Sequence, residues 1–160
     1  YASPPCFMHE LGPEYIETAP PSTLLPLLRD LYDGWSAGVP VLTGLKNAVT
    51  GGEIAKALHR ICAEDVSFCD FLREQLLHLG AVVRVREQND GGTPLTPENA
   101  HDELRGLCDD RDRMVHRMSR EIPSVRDYRL RSELSAMIAA HQRRTHVIAV
   151  AEALLLLNHP

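Results

Sequence analysis

Lysine is nearly missing from this chain. Of its 17 basic residues only Lys46 and Lys56 are lysines, and the rest are arginines. Positive charge is therefore carried by planar, fork-shaped donors suited to pairing with carboxylates. A basic excess is missing too. The formal net charge is −5 and the pI about 5.9, which argues against a nucleic-acid backbone or an anionic membrane surface as the main partner. The basic stretch Arg111-Asp112-Arg113 is interrupted by acid and reads as a solvated helix face in preference to a phosphate track. Cysteine is sparse: Cys6, Cys62, Cys69 and Cys108 form no C-x-x-C pattern, and a reduced, cytoplasmic protein is expected. No apolar run approaches the ~20 residues of a membrane span. The opening YASPPCFMHEL has neither a basic nor an apolar leader region, so no secretion signal is expected. No segment reads as a credible strand, and none repeats.

What the chain has is helical periodicity. Its 160 residues suffice for one domain with a sizeable core. Residues 1–21 are proline-rich and read as an extended arm, followed by a four-helix bundle over 22–160. After Pro20-Pro21 and Ser22-Thr23, which mark a helix entry, the positions Leu24, Leu28, Leu31, Trp35, Gly38, Leu42 and Leu45 recur at alternating steps of four and three, a heptad seam. Pro40 should kink or restart this helix, and its small residues allow a second helix to approach closely. Thr50-Gly-Gly-Glu53 fits a capping box. It opens a second helix that runs to Gly80 with the seam Leu58, Cys62, Asp65, Cys69, Leu72, Leu76, Leu79. A long connection over 81–95 follows, in which Val82, Val83 and Val85 suggest a short extended piece. Thr96, with Pro97 behind it, is expected to cap a third helix ending near Ile122-Pro123. That helix has a noisier seam: Leu104, Leu107 or Cys108, Arg111, Met114 or Val115, and Met118. The fourth starts around 124–127 and carries Leu130, Leu134, Met137, His141, Arg144, Ile148, Ala151 and Leu155. Two short links around one long one match an all-α, antiparallel four-helix bundle of ferritin-like topology, with the crossover between helices 2 and 3.

Each seam is apolar at its ends and polar near its middle, where Trp35, Asp65, Arg111, His141 and Arg144 fall. A buried carboxylate needs a partner, and Arg144, Arg111 and His141 are the groups on the other seams able to supply one to Asp65. Three arrangements are open: a polar chamber that binds a ligand, a satisfied layer that fixes register, and a rim position in solvent. A carboxylate-bridged di-iron centre calls for Glu-x-x-His pairs on two helices. The predicted seams carry none, so a complete centre of that kind is not expected. Cys62 and Cys69 lie two turns apart, roughly 10 Å along a helix axis, too far to share one ion or a disulfide. Neither sits at a helix N-terminus, so nothing local activates a thiol for attack with His141 as base. In the arm, Cys6, His9 and Glu10 are possible ligands. The more ordinary reading has Phe7, Met8 and Leu11 anchoring the arm on the bundle, as a lid over one end of the chamber.

Several stretches resemble an uncharacterised bacterial family of ferritin-like helical bundles. The opening SPPCFMHELGPEY is similar to its N-terminal segment. DGWSAGVPVL (33–42) occupies the place of a helix-1 stretch with Glu before Ala-Gly, and here Trp35 stands in the Glu position. EDVSFCDFL (64–72) resembles a helix-2 stretch, with Asp65 in the Glu position. MIAAHQRRTHVI (137–148) resembles a Met…His-x-x-Asn-Ile stretch, in which His141 is kept and Arg144 replaces Asn. The resemblance implies a ferritin-like fold with inward polar residues at 35, 65 and 141. Its departures suggest that the chain's own cation, Arg144, replaces a metal. Three functions are compatible with this: a binding or accessory protein with a metal-free polar core, a non-haem iron or other divalent-metal oxidoreductase using Asp65 and His141, and a structural interaction module. The first is the main expectation, with no cofactor and with a second copy, another protein or a small molecule near Trp35 and His141 as partner.

Overall fold

A computed structural model describes residues 21–84 and 91–158. Among them the chain is all-helical: α1 (Pro21–Ala48), α2 (Gly52–His78), α3 (Ala100–Glu121), a single 3-10 turn (Ile122–Ser124) and α4 (Tyr128–Leu157), with no strand. None of these helices is long and apolar enough to cross a membrane. Segment 1–20, including Cys6, His9 and Glu10, lies outside the described residues, as does Val85.

The helix ends follow from local chemistry, though not always at the expected residue. α1 runs unbroken through Pro26 and Pro40, so Pro40 does not restart it. Its missing N–H only leaves the Ser36 carbonyl without the usual donor. The Thr50 capping box does not form. The chain turns at Gly51, whose φ of 78° is open to glycine, and α2 starts beyond it without a side-chain cap. Glu53 bonds instead to Lys56 at 3.2 Å. α2 ends in a Schellman turn: Ala81 N–H donates to the Leu76 carbonyl and Gly80 N–H to that of Leu77, with Gly80 at φ 78°. Thr96 and Asn99 bond each other reciprocally in the turn before α3, whose first residue is Ala100. Asp127 caps α4 by accepting from Leu130 N–H at 2.9 Å.

The four seams point inward, and every position predicted on α1 and α4 is buried. Two apolar clusters result. One gathers Leu24, Leu28, Leu31 and Trp35 of α1, Phe68, Leu72 and Leu76 of α2, Met118 of α3, and Leu130, Leu134 and Met137 of α4. The other gathers Leu42 and Leu45, Leu58 and Cys62, Leu104 and Leu107, and Ile148, Ala151 and Leu155. α1 packs on α2 and α3, and α4 packs on the same two, while the backbones of α2 and α3 stay apart on opposite corners. Small residues let neighbours in. A Cβ at Gly34 would lie 2.6 Å from Met114 Sδ, and one at Gly38 would lie 2.5 Å from Leu107 Cδ1, both of α3. Gly44 admits a third neighbour, because the Thr93 carbonyl of the long connection fills the space of its missing Cβ. Thr93 N–H donates to the Pro40 carbonyl at 2.9 Å and Asn47 Nδ2 to the Gly91 carbonyl at 3.0 Å, strapping the connection to α1. Of the valines in that connection, Val82 is exposed and Val83 half-buried, without strand pairing.

Candidate functional site

Between the two apolar clusters lies one charged layer. It is built from Asp65 (0% exposed), Arg111 (2%), Arg144 (3%) and His141 (4%), the described polar or charged residues buried to this degree. Periodicity sets their level: Asp65, Arg111 and the neighbouring pair His141 and Arg144 occupy the middle of their seams, with apolar residues before and after.

Asp65 is the hub. Its Oδ1 accepts from Trp35 Nε1 at 3.0 Å and from Arg144 Nη1. Its Oδ2 faces Arg111 Nη1 at 2.8 Å. That second contact is an ion pair off the line of a hydrogen bond, so Oδ2 has a counter-charge and no aligned donor. Three helices thus converge on one carboxylate of the fourth. Arg111 crosses the gap between the opposite corners α3 and α2. It is held three ways: by Asp65, by stacking over the Trp35 ring with Cζ 4.2 Å from the centroid, and by donation from Nη2 to the Trp35 carbonyl at 3.1 Å. Gly38 makes room for it, since a Cβ there would lie 2.7 Å from Arg111 Nη2. Burial lowers the Arg111 pKa, and Asp65 opposes that shift. Phe68 completes the wall, edge-on to Trp35 with ring centroids 6.3 Å apart at 89°. Arg144 Cζ stands 5.9 Å from its centroid.

Trp35, Asp65, Arg111 and Arg144 therefore come together as the seams suggested. His141 is buried but does not join them. Its Nε2 meets Asp112 Oδ1 at 2.7 Å, and since a carboxylate only accepts, the ring nitrogen carries the proton there. Two members escaped the seam argument. Asp112 is mostly exposed and lies off the α3 seam. Glu64 binds Arg144 Nη2 from the half-exposed edge of α2. The signal for Glu64 was present in the sequence as the acidic neighbour of Asp65, one position round the helix.

The Asp65 oxygens face two guanidinium groups, which would repel a cation, and His141 Nε2 is taken by Asp112. Among the described residues no group of three or more His, Cys, Asp or Glu is placed to hold an ion. One Glu-x-x-His spacing does occur, Glu98 to His101, at the exposed start of α3. His101 turns to Glu152 at 3.1 Å, outside the layer. Nor is any described thiol a ready nucleophile. Cys62, Cys69 and Cys108 are free. Burial pushes all three thiols up, Cys69 to about 12 with Asp65 adding to the effect.

A family model described as a domain of unknown function (DUF6306) matches residues 23–153. That span contains nearly all of the four helices and the whole charged layer, and the chain belongs to this family. Comparison with curated proteins and with solved structures gives no match.

Proposed function

We propose that this member of the DUF6306 family is a cytoplasmic binding or accessory protein. It is an antiparallel, ferritin-like bundle in which an ion cluster made by the protein stands where such bundles carry a metal centre. Core membership supports the topology. The first half of α1, the second halves of α2 and α3, and the first half of α4 share one apolar cluster. With α1 and α4 running one way and α2 and α3 the other, residues 79–99 would join opposite ends as a crossover. The free thiols are in keeping with a reducing compartment.

The observation that carries the functional reading is the state of Asp65. It is fully buried and is neutralised by arginines from two different helices. In a metal-binding bundle an inward carboxylate at that height is a ligand. Here the same carboxylate is spent on register, holding α1, α3 and α4 to α2 at one level. The metal-dependent oxidoreductase, with Asp65 and His141 as ligands, is the weaker reading because those two side chains face different partners. A purely structural module differs from our reading only in lacking a ligand.

Elemental analysis of purified protein, followed by titration with Fe(II), Mn(II) and Zn(II) under calorimetry and thermal melting, tests the metal-free core. We expect neither stoichiometric metal nor a shifted melting midpoint. A bound ion at one or more equivalents per chain, lost in Asp65→Asn, would overturn the proposal.

A further inference from the structure

The charges of the layer balance only with help from its rim. Arg111 and Arg144 bring two positive charges inside, and Asp65 brings one negative. The remaining charge is met by Glu64, whose side chain is 41% exposed. Glu64 is thus the member of the cluster with a path to solvent.

Its grip on Arg144 is incomplete. A guanidinium offers Nε and Nη2 on one side edge, spaced to receive both oxygens of a carboxylate or phosphate. Arg144 donates from Nη2 to Glu64 Oε1, while its buried Nε has no partner. The other Glu64 oxygen is drawn away toward Arg143, 4.0 Å distant on the exposed face of α4. One carboxylate is therefore stretched between two consecutive arginines, and half of an anion-receiving edge is left unfilled. Arg60, exposed one helical turn before Glu64, adds a third cation to the same strip of α2.

We propose that the side edge of Arg144 is an oxyanion site, and that Glu64 is its resident stand-in. A small ligand bearing a carboxylate or a phosphate group displaces Glu64 outward. It then fills Nε and Nη2 together and is flanked by Arg143 and Arg60. The anion takes over the counter-charge that Glu64 supplied, so the layer stays balanced with the ligand bound. This rests on the metal-free reading above and gives that binding protein a ligand class. Arg144 is then a binding residue, and Arg143 and Glu64 set the affinity from outside.

The test uses the full chain labelled with 15N and follows the side-chain Nε–H resonance of Arg144. Acetate and inorganic phosphate are titrated separately at constant ionic strength, against chloride. We expect a saturable shift with acetate, phosphate or both, and the tighter of the two assigns the source. Glu64→Gln removes the internal competitor and should strengthen binding about tenfold or more, one charge-assisted bond's worth. Arg143→Ala should weaken it. Arg143 is exposed and Glu64 half-exposed, and a thermal melt of each variant checks that it is folded before the titration. The proposal is overturned if the Arg144 resonance stays put in both wild type and Glu64→Gln. It is equally overturned if acetate, phosphate and chloride act alike, which is screening. Neither outcome bears on metal content, so the site can fail while the metal-free core stands, and the reverse.

Discussion

Arg111 and Trp35 hold each other twice. The guanidinium is stacked over the indole ring with Cζ 4.2 Å from its centroid, and Nη2 donates to the backbone carbonyl of the same residue at 3.1 Å. The ring in turn donates to Asp65, the carboxylate that Arg111 also pairs with. Cation, ring and anion form a closed triangle across α3, α1 and α2, and a lysine has no plane to stack and no second nitrogen to reach the carbonyl.

Arg111→Met should therefore destabilise the protein by about 3–5 kcal/mol, the usual loss when one partner leaves a buried ion pair. Arg111→Lys keeps the charge but not the fork and should lose about 1–3 kcal/mol. Urea unfolding with an unchanged m-value reads both. A lysine variant as stable as wild type would show that charge alone matters here.

Removing the hub alone should be worse than removing the cluster. Asp65→Leu leaves two buried arginines facing one another and should lower stability by about 3–5 kcal/mol. Replacing Asp65, Arg111 and Arg144 together by Leu, Met and Met should recover most or all of that, since well-packed apolar isosteres of buried ion clusters are often neutral or stabilising. A triple variant no better than the single one would show that the layer contributes more than its charge balance explains.

The glycines of the helices should separate into three kinds. Gly106→Ala meets nothing within 4 Å, and helix propensity should make it neutral to stabilising by up to about 1 kcal/mol. Gly38→Ala pushes into the ends of Leu107 and Arg111, flexible side chains that can give way, at about 1–3 kcal/mol. Gly44→Ala meets the backbone carbonyl of Thr93, which cannot rotate aside, and should be the most damaging of the three. Thermal melting of the three variants checks the order.

Alkaline pH should weaken the fold through Cys69. Its thiol is pushed up from 9.0 to about 12, by burial first and by Asp65 second. Between those values the folded chain keeps a proton that the unfolded chain releases. The stability tied to it is complete below about pH 9 and is lost as pH rises toward 12. Cys69→Ala should flatten the decline of the melting midpoint above pH 9 relative to wild type. At pH 8 Cys69 should react with iodoacetamide far more slowly than a free thiol, and rapid labelling of the native protein would contradict this.

Helix number, the seams and the level of the charged layer were legible in the sequence because a helical period of alternating three and four leaves a polar interruption visible as such. Asp65 with Arg144 and Arg111 followed from charge matching at equal depth. His141, one of the three candidates for Asp65, turned to Asp112 instead, because seam position gives depth but not the direction in which a ring nitrogen points. Glu64 and Asp112 were hidden by the same logic, since long arginine and histidine side chains reach beyond the seam to carboxylates one position off it. The Thr50 cap failed because Gly51 settles the turn first, whereas Thr96 does accept from Asn99 N–H, in the turn just before Ala100 opens α3. The strap at Gly44 has no periodic signature at all, because it joins segments far apart in the chain.

The separation of the two apolar clusters by the charged layer has a consequence for how the molecule comes apart. The clusters are two distinct sets of buried side chains, joined by the four continuous helices and by the charged layer between them. Opening can begin at one end and halt at mid-height, with the second half still intact. Amide hydrogen exchange should then sort the same helix into two protection classes that change at Trp35 in α1 and at Asp65 in α2. Core truncations in opposite halves should add independently.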